Sequence, residues 1–278
     1  MSVLVDSAPL ARDPEALRTR ASQDGCLLLR GIPGHEAVAP LRMLAVEVAG
    51  SLGFVLPEPV GRTAPPARPG AALTGTGYDD PRWLALQERV LADPRFAAVG
   101  DHPELFMVVE ALVGGPVLTR RGDICRLALP NAPHLTTPPH QDHWYTGGTT
   151  NLWTVWIPLT DTPLELGPLA VLPGSHMNGL LPHDGQGAGR EGVHLPADAQ
   201  FAAAPLAAGD AVLFNCLTVH RALPNVTRDR VRLSVDYRYQ PASEPIHVVR
   251  VDGTRAGQPL ADRAAGAGPA LGAPADLA

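Results

Sequence analysis

The chemistry-bearing residues of this chain cluster in Pro138-Pro139-His140-Gln141-Asp142-His143-Trp144-Tyr145. On an extended strand, residues i and i+2 point to the same face, so His140 and Asp142 would aim one way and Gln141 the other. An imidazole and a carboxylate on one face supply two of the three ligands of a two-histidine, one-carboxylate facial triad. That arrangement leaves open positions on ferrous iron. The tripeptide alone also suits a polar turn after two prolines, and in a chain with 10 histidines a His-x-Asp spacing is weak by itself.

The third ligand must come from a distant element. His220 closes the β-rich run Ala211-Val212-Leu213-Phe214-Asn215-Cys216-Leu217-Thr218-Val219 and precedes a Pro-Asn turn, which makes it the best candidate. His143 has the wrong parity, His183 and His194 flank a polar Gly-rich stretch, and His176 suits a structural role in the Pro-Gly-Ser-His turn. His102-Pro103-Glu104 also has ligand spacing. There Asp101 and Glu104 read as a capping box before an apolar helical run, so the group is assigned to structure. Further on, strand parity places Arg230, Arg232 and Ser234 on one face. A buried guanidinium without an anion is costly, whereas a dicarboxylic cosubstrate would satisfy it through a bidentate pair. An edge strand with solvated arginines is the alternative.

The elements that must position these residues are legible as patterns. Helical periodicity covers 13–23, about 36–52, 81–93 and 102–113, with a short apolar strand at Cys26-Leu27-Leu28-Leu29. Residues 53–78 are rich in Pro and Gly and form a loop long enough to be a candidate lid. From Val117 onward, short β-rich runs alternate with turn clusters, which argues for a sandwich or barrel. Residues 253–278 read as a flexible tail. The net charge of −6 offers no basic surface for nucleic acid. No apolar run approaches the ~18 residues that would span a bilayer. The three cysteines, Cys26, Cys125 and Cys216, form no C-x-x-C pair, and the N-terminal stretch lacks the pattern of a signal peptide. These features predict a cytoplasmic protein, monomeric or homodimeric, acting on a small molecule.

The ordered set extends from His140-Gln141-Asp142 through Trp156-Ile157-Pro158-Leu159, Glu165-Leu166-Gly167-Pro168-Leu169 and Pro173-Gly174-Ser175-His176. It continues with Gly209-Asp210, His220, Asn225 and the arginine strand. Over roughly 116–240 this set resembles the phytanoyl-CoA dioxygenase family of iron(II)- and 2-oxoglutarate-dependent oxygenases. The resemblance implies a mainly β fold, a double-stranded β-helix (jelly-roll, cupin-like) core with N-terminal helices packed on it. It implies a single domain over 1–252, mainly helical to residue 115 and jelly-roll from 116.

It implies roles as well. His140, Asp142 and His220 would hold Fe(II). An arginine about ten residues past the distal histidine would pair with the far carboxylate of 2-oxoglutarate, Arg230 by that spacing with Arg232 as rival. Ser234 shares that face, and Trp156 would line the same pocket. Where some members carry a serine two residues past the distal histidine, this chain has Ala222. Trp144 and Tyr145 are candidates for the substrate floor. The expected reaction couples 2-oxoglutarate and O2 to hydroxylation of an unactivated C–H bond in a metabolite or natural-product intermediate. Succinate and CO2 would be released. Halogenase sites replace the carboxylate by a small residue, and Asp142 argues against that reading. A non-catalytic jelly-roll protein and a metal-cupin enzyme without a ketoacid remain the alternatives.

Overall fold

The computed structural model describes residues 1–57, 61–75, 77–184 and 191–245, without the side chains of 120–122; the expected tail at 253–278 lies outside these residues. The chain opens with β1 (Ser2–Val3), α1 (Pro14–Asp24), β2 (Cys26–Leu29) and α2 (His35–Ser51). After the long loop come α3 (Pro81–Leu91), α4 (Pro94–Gly100) and α5 (Pro103–Val113). Then follow β3 (Val117–Ala128), α6 (His143–Thr146), β4 (Trp153–Pro158), β5 (Leu169–Val171), β6 (His183–Asp184) and β7 (Gly192–Val193). The last strands are β8 (Ala202–Ala203), β9 (Ala211–Asn215), β10 (His220–Ala222) and β11 (Arg232–Pro241).

Local chemistry starts these helices. At Asp13-Pro14, Asp80-Pro81 and Asp93-Pro94, the aspartate accepts a hydrogen bond from a backbone N–H of the first turn while the proline needs no partner there. Gly25 ends α1 at φ +67°, a conformation that favours glycine, and turns the chain straight into β2. The helix α5 departs from expectation. His102 is its N-cap with no side-chain cap bond, so Asp101 and Glu104 do not form the capping box that their spacing suggested.

Two sheets form the double-stranded β-helix. One has the order β2-β9-β4-β11-β3 and is antiparallel throughout; the other runs β1-β8-β5-β10. The strand β11 shows how the layers are built, because all ten of its residues are buried yet its two faces differ in kind. Leu233, Val235, Tyr237 and Tyr239 join the core shared with the helices, which contribute Leu17, Leu41, Leu86 and Leu105. The Tyr237 and Tyr239 hydroxyls donate to the Phe96 and Gly100 carbonyls at 2.8 and 2.7 Å, tying the sheet to α4. The other face carries Arg232, Ser234, Asp236, Arg238 and Gln240 into the space between the sheets. Burying so much polarity is unfavourable unless each group finds a partner. A smaller apolar core of Leu28, Trp156, Leu169, Val171, Val212 and Phe214 closes the rest of that space. No helix among the described residues is long and apolar enough to cross a membrane.

Candidate metal centre

His140 and His220 form a bridge between their segments, each backbone N–H donating to the other's carbonyl at 3.0 Å. Their Nε2 atoms stand 3.7 and 3.6 Å from the same Asp142 oxygen, Oδ1. All three residues are buried, and their ligand atoms lie within 4.8 Å of one another. The convergence does not come from strand parity, however. After the bridge at His140 the chain turns, and Asp142 takes up αR geometry as the N-cap of α6. A helical turn swings the carboxylate back toward His140 where a continued strand would have carried the chain onward.

Each ligand is oriented by a second bond. His140 Nδ1 meets the Pro138 carbonyl at 2.8 Å and His220 Nδ1 meets the Thr218 carbonyl at 3.0 Å. A carbonyl demands a proton on Nδ1, which leaves both Nε2 lone pairs facing the common centre. Burial, followed by the neighbouring His140, pushes the His220 imidazole down to about 3, so it stays neutral. Asp142 Oδ2 accepts from Thr154 Oγ1 at 2.6 Å and from Arg238 Nε and Nη2 at 3.2 and 3.1 Å, leaving Oδ1 for the centre. Burial alone would raise the Asp142 carboxyl. The Arg238 guanidinium, the foremost opposing contact, outweighs it and holds the group well below the usual carboxylate range. Two imidazoles turned with Nε2 toward one point and one ionised carboxylate make the donor set that ferrous iron takes.

Gln141 does not merely face away. Its amide donates to the Gly179 and Leu217 carbonyls at 2.8 and 2.6 Å and accepts from Leu181 N at 2.8 Å, while its backbone N–H donates to His183 Nε2 at 3.0 Å. The Trp144 indole stacks on the His183 ring at 4.8 Å, and Tyr145 Oη reaches Glu191 at 3.0 Å from its carbonyl oxygen and 3.1 Å from its carboxylate. The Tyr145 ring also lies 5.7 Å from His140, beside the metal ligands. His176 is placed elsewhere, with Nε2 at the Ser22 carbonyl.

The two arginines part company. Arg230 precedes β11, so the parity that should align it with Arg232 does not extend to it. Its head donates to the Ala64 carbonyl at 3.0 Å, and its side chain is 35% exposed. Arg232 is buried with its guanidinium 5.7 Å from the Trp156 ring and bonded to the Gly167 carbonyl. Its Nε and the neighbouring Ser234 Oγ are buried without a partner among the described residues. Burial and the nearby Arg126 push the Arg232 guanidinium down to about 10. Arg126, opposite Ser234 on β3, is already neutralised by Asp236 Oδ2 at 2.6 Å. Among the described residues lining this interior, Arg232 is therefore the cation without a carboxylate partner. With the orphaned Ser234 hydroxyl beside it, it suits the carboxylate of a dicarboxylic ligand. Arg126 and Arg232 line one cavity of about 60 Å³ together with Tyr78, Trp83 and Thr137.

Spacing alone missed Thr154, Arg238, Gln141 and Arg126. Extending the Arg232–Ser234 parity by two further steps reaches Arg238, so that one signal was present; nothing local marked the others.

Comparison with known proteins agrees with this geometry. The profile of the phytanoyl-CoA dioxygenase (PhyH) family matches residues 81–233, more than half of the chain. The chain is 31% identical over 254 residues to a 1-deoxypentalenic acid 11-beta-hydroxylase from Streptomyces arenae, covering 86% of this chain and 85% of that one. It is also 31% identical over 259 residues to the enzyme of the same name from Streptomyces exfoliatus, with 87% of each chain covered. Among solved structures, the epimerase SnoN in complex with Fe3+, alpha ketoglutarate and nogalamycin RO shares the fold. The TM-score is 0.61 at 22% identity, with 86% of this chain and 88% of that one covered. The chain belongs to the phytanoyl-CoA dioxygenase family and is an iron(II)- and 2-oxoglutarate-dependent oxygenase.

Proposed function

We propose that His140, Asp142 and His220 hold one ferrous ion and that Arg232, with Ser234 and Trp156, receives the far carboxylate of 2-oxoglutarate. The substrate we assign is a small carboxylic acid, hydroxylated at an unactivated C–H bond. The observation that carries the site is the buried triad, with Asp142 Oδ2 clamped by Thr154 and Arg238 so that Oδ1 faces both Nε2 atoms. The substrate class rests on the two Streptomyces relatives, each a hydroxylase of 1-deoxypentalenic acid by name.

Held there, iron would supply, with 2-oxoglutarate and dioxygen, the oxidising power for hydroxylation, with succinate and CO2 as co-products. The protein's own share is positional. The clamp on Asp142 and the carbonyls behind each histidine fix three ligand atoms around one point, where they would hold the ion. Arg232 sets the reach and direction of the ketoacid. The depth of the triad keeps bulk water from the reacting carbon. Tyr145 and Trp144, docked on Glu191 and His183, bound the space beside the ion on the substrate side. The chain acts in the cytoplasm as a monomer or homodimer, with neither nucleic acid nor membrane as partner.

Anaerobic addition of 2-oxoglutarate to the Fe(II)-loaded protein should give a visible charge-transfer band in wild type and in His176→Ala. His140→Ala, Asp142→Ala and His220→Ala should each lose it. With oxygen and 1-deoxypentalenic acid or a related carboxylic acid, succinate and hydroxylated product should form in equal amounts. Hydroxylated product formed without 2-oxoglutarate would sink this reading in favour of a metal enzyme that uses no ketoacid.

A further inference from the structure

The cavity beside Arg126 and Arg232 does not end at its own walls. Leu73, Leu129, Ala132 and Leu135 also line a second cavity of about 420 Å³, so these apolar side chains form a partition between the two. The partition is thin. Leu73 and Leu135 both approach Gly77, where an added Cβ would stand 3.3 Å from Leu135 Cδ2 and 3.7 Å from Leu73 Cδ1. Both leucines are only half-buried, and side-chain rotamer exchange of the picosecond-to-nanosecond kind would open the gap between the cavities.

The outer cavity lies at the surface, rimmed by exposed Arg68, Arg228 and Asp229. Arg230 stands beside Asp229, with Nε 3.9 Å from its carboxylate. Two arginines against one aspartate make a cationic mouth on a chain whose net charge is −6. A locally positive, low-dielectric cleft concentrates anions and speeds their entry. Inside the partition the sign persists, because Arg232 is the cation without a carboxylate. Cationic mouth, apolar neck and cationic chamber form one path leading to the strand that carries His220, since Ala222 lines the inner chamber.

We infer that this passage admits 2-oxoglutarate to the metal centre and releases succinate from it, with Leu73 and Leu135 as its gate and Arg68 and Arg228 as its collecting rim. The inference rests on the assignment of Arg232 to the cosubstrate. It explains why a protein of negative net charge sets Arg68 and Arg228 around Asp229 at the surface.

The test is anaerobic stopped-flow mixing of Fe(II)-loaded full-length protein with 2-oxoglutarate, read by the charge-transfer band at several ionic strengths, and displacement by excess succinate for the reverse rate. In wild type the association rate constant should fall with salt. In the Arg68→Glu, Arg228→Glu double variant it should drop about tenfold at low salt and lose most of its salt dependence. Leu135→Trp should slow association and dissociation by the same factor, tenfold or more, and leave the dissociation constant within about twofold. A raised barrier between unchanged end states alters both rates alike and leaves the equilibrium as it was. Wild-type rates in both variants would overturn the passage while leaving the oxygenase reading intact. A changed dissociation constant in Leu135→Trp would make that leucine a wall of the binding site and overturn its role as a gate. A wild-type protein that forms no band would overturn the assignment to 2-oxoglutarate, and the passage with it.

Discussion

Replacing Arg232 by methionine should move stability and cosubstrate affinity in opposite directions. In the ligand-free protein its guanidinium is buried, bonded to one carbonyl, and lacks a carboxylate. Its depression to about 10 corresponds to roughly 3 kcal/mol against the charged form, since one pKa unit is about 1.4 kcal/mol. Methionine fills a similar volume without that cost, as when buried ions are replaced by apolar side chains, so apo Arg232→Met should be as stable as wild type or more so. Binding should suffer. Removing the partner of a desolvated carboxylate costs about 2–5 kcal/mol, roughly thirty-fold or more in the 2-oxoglutarate dissociation constant. Arg230→Ala, which alters a partly exposed group, should change that constant by less than about fivefold. Thermal denaturation of the Fe(II)-loaded protein with and without cosubstrate reads both effects. At a hundred times its dissociation constant, a ligand adds about 2.7 kcal/mol to wild type, and the variant should gain almost none at the same concentration. A destabilised apo variant that keeps wild-type 2-oxoglutarate affinity would refute the reasoning; a large loss in Arg230→Ala alone would return the role to that residue.

Three further outcomes follow from other contacts. Gln141→Leu strands the part-buried Gly179 and Leu217 carbonyls and Leu181 N–H, toward the lower end of about 1–3 kcal/mol each. Urea denaturation should show a loss of at least about 3 kcal/mol, and no loss would mean that the three groups reach water. Thr154→Val keeps the shape but removes the donor to Asp142 Oδ2, so Fe(II) affinity by competition with a chelator should fall about 10–100-fold, with Thr154→Ser restoring it. Asp123 is pushed up to about 7, chiefly by burial and against the pull of Arg238. Because its folded pKa exceeds the unfolded value of about 4, the folded state holds the extra proton between them, and wild-type stability should decline as pH rises through that window. Asp123→Asn should flatten the decline; an unchanged pH profile would show that Asp123 is not its source.

Much of this was legible in the chain. Periodic apolar residues placed the helices, and strand parity put Arg232 and Ser234 on one polar face. The His140, Asp142 and His220 set could be chosen from residue types, order and element ends. What was not legible came from geometry that spacing does not encode. Strand parity was the wrong reason for His140 and Asp142 to meet, because the chain turns into α6 at Asp142 and leaves the extended conformation. The same rule failed for Arg230, because β11 begins two residues later at Arg232. The clamp on Asp142 joins β4 and β11, adjacent strands separated by most of the jelly roll in sequence, and only sheet order brings Thr154 opposite Arg238. The capping box at Asp101 failed more simply, since Pro103 sets the first turn and makes His102 the cap.

Crystals grown anaerobically with Fe(II) and 2-oxoglutarate, measured on both sides of the iron absorption edge, test the central claim most directly. The account predicts one anomalous peak per chain, bonded by His140 Nε2, Asp142 Oδ1 and His220 Nε2 and chelated by a ketoacid whose far carboxylate meets Arg232. A peak coordinated by His176 or His183, or a ketoacid directed away from Arg232, would contradict it.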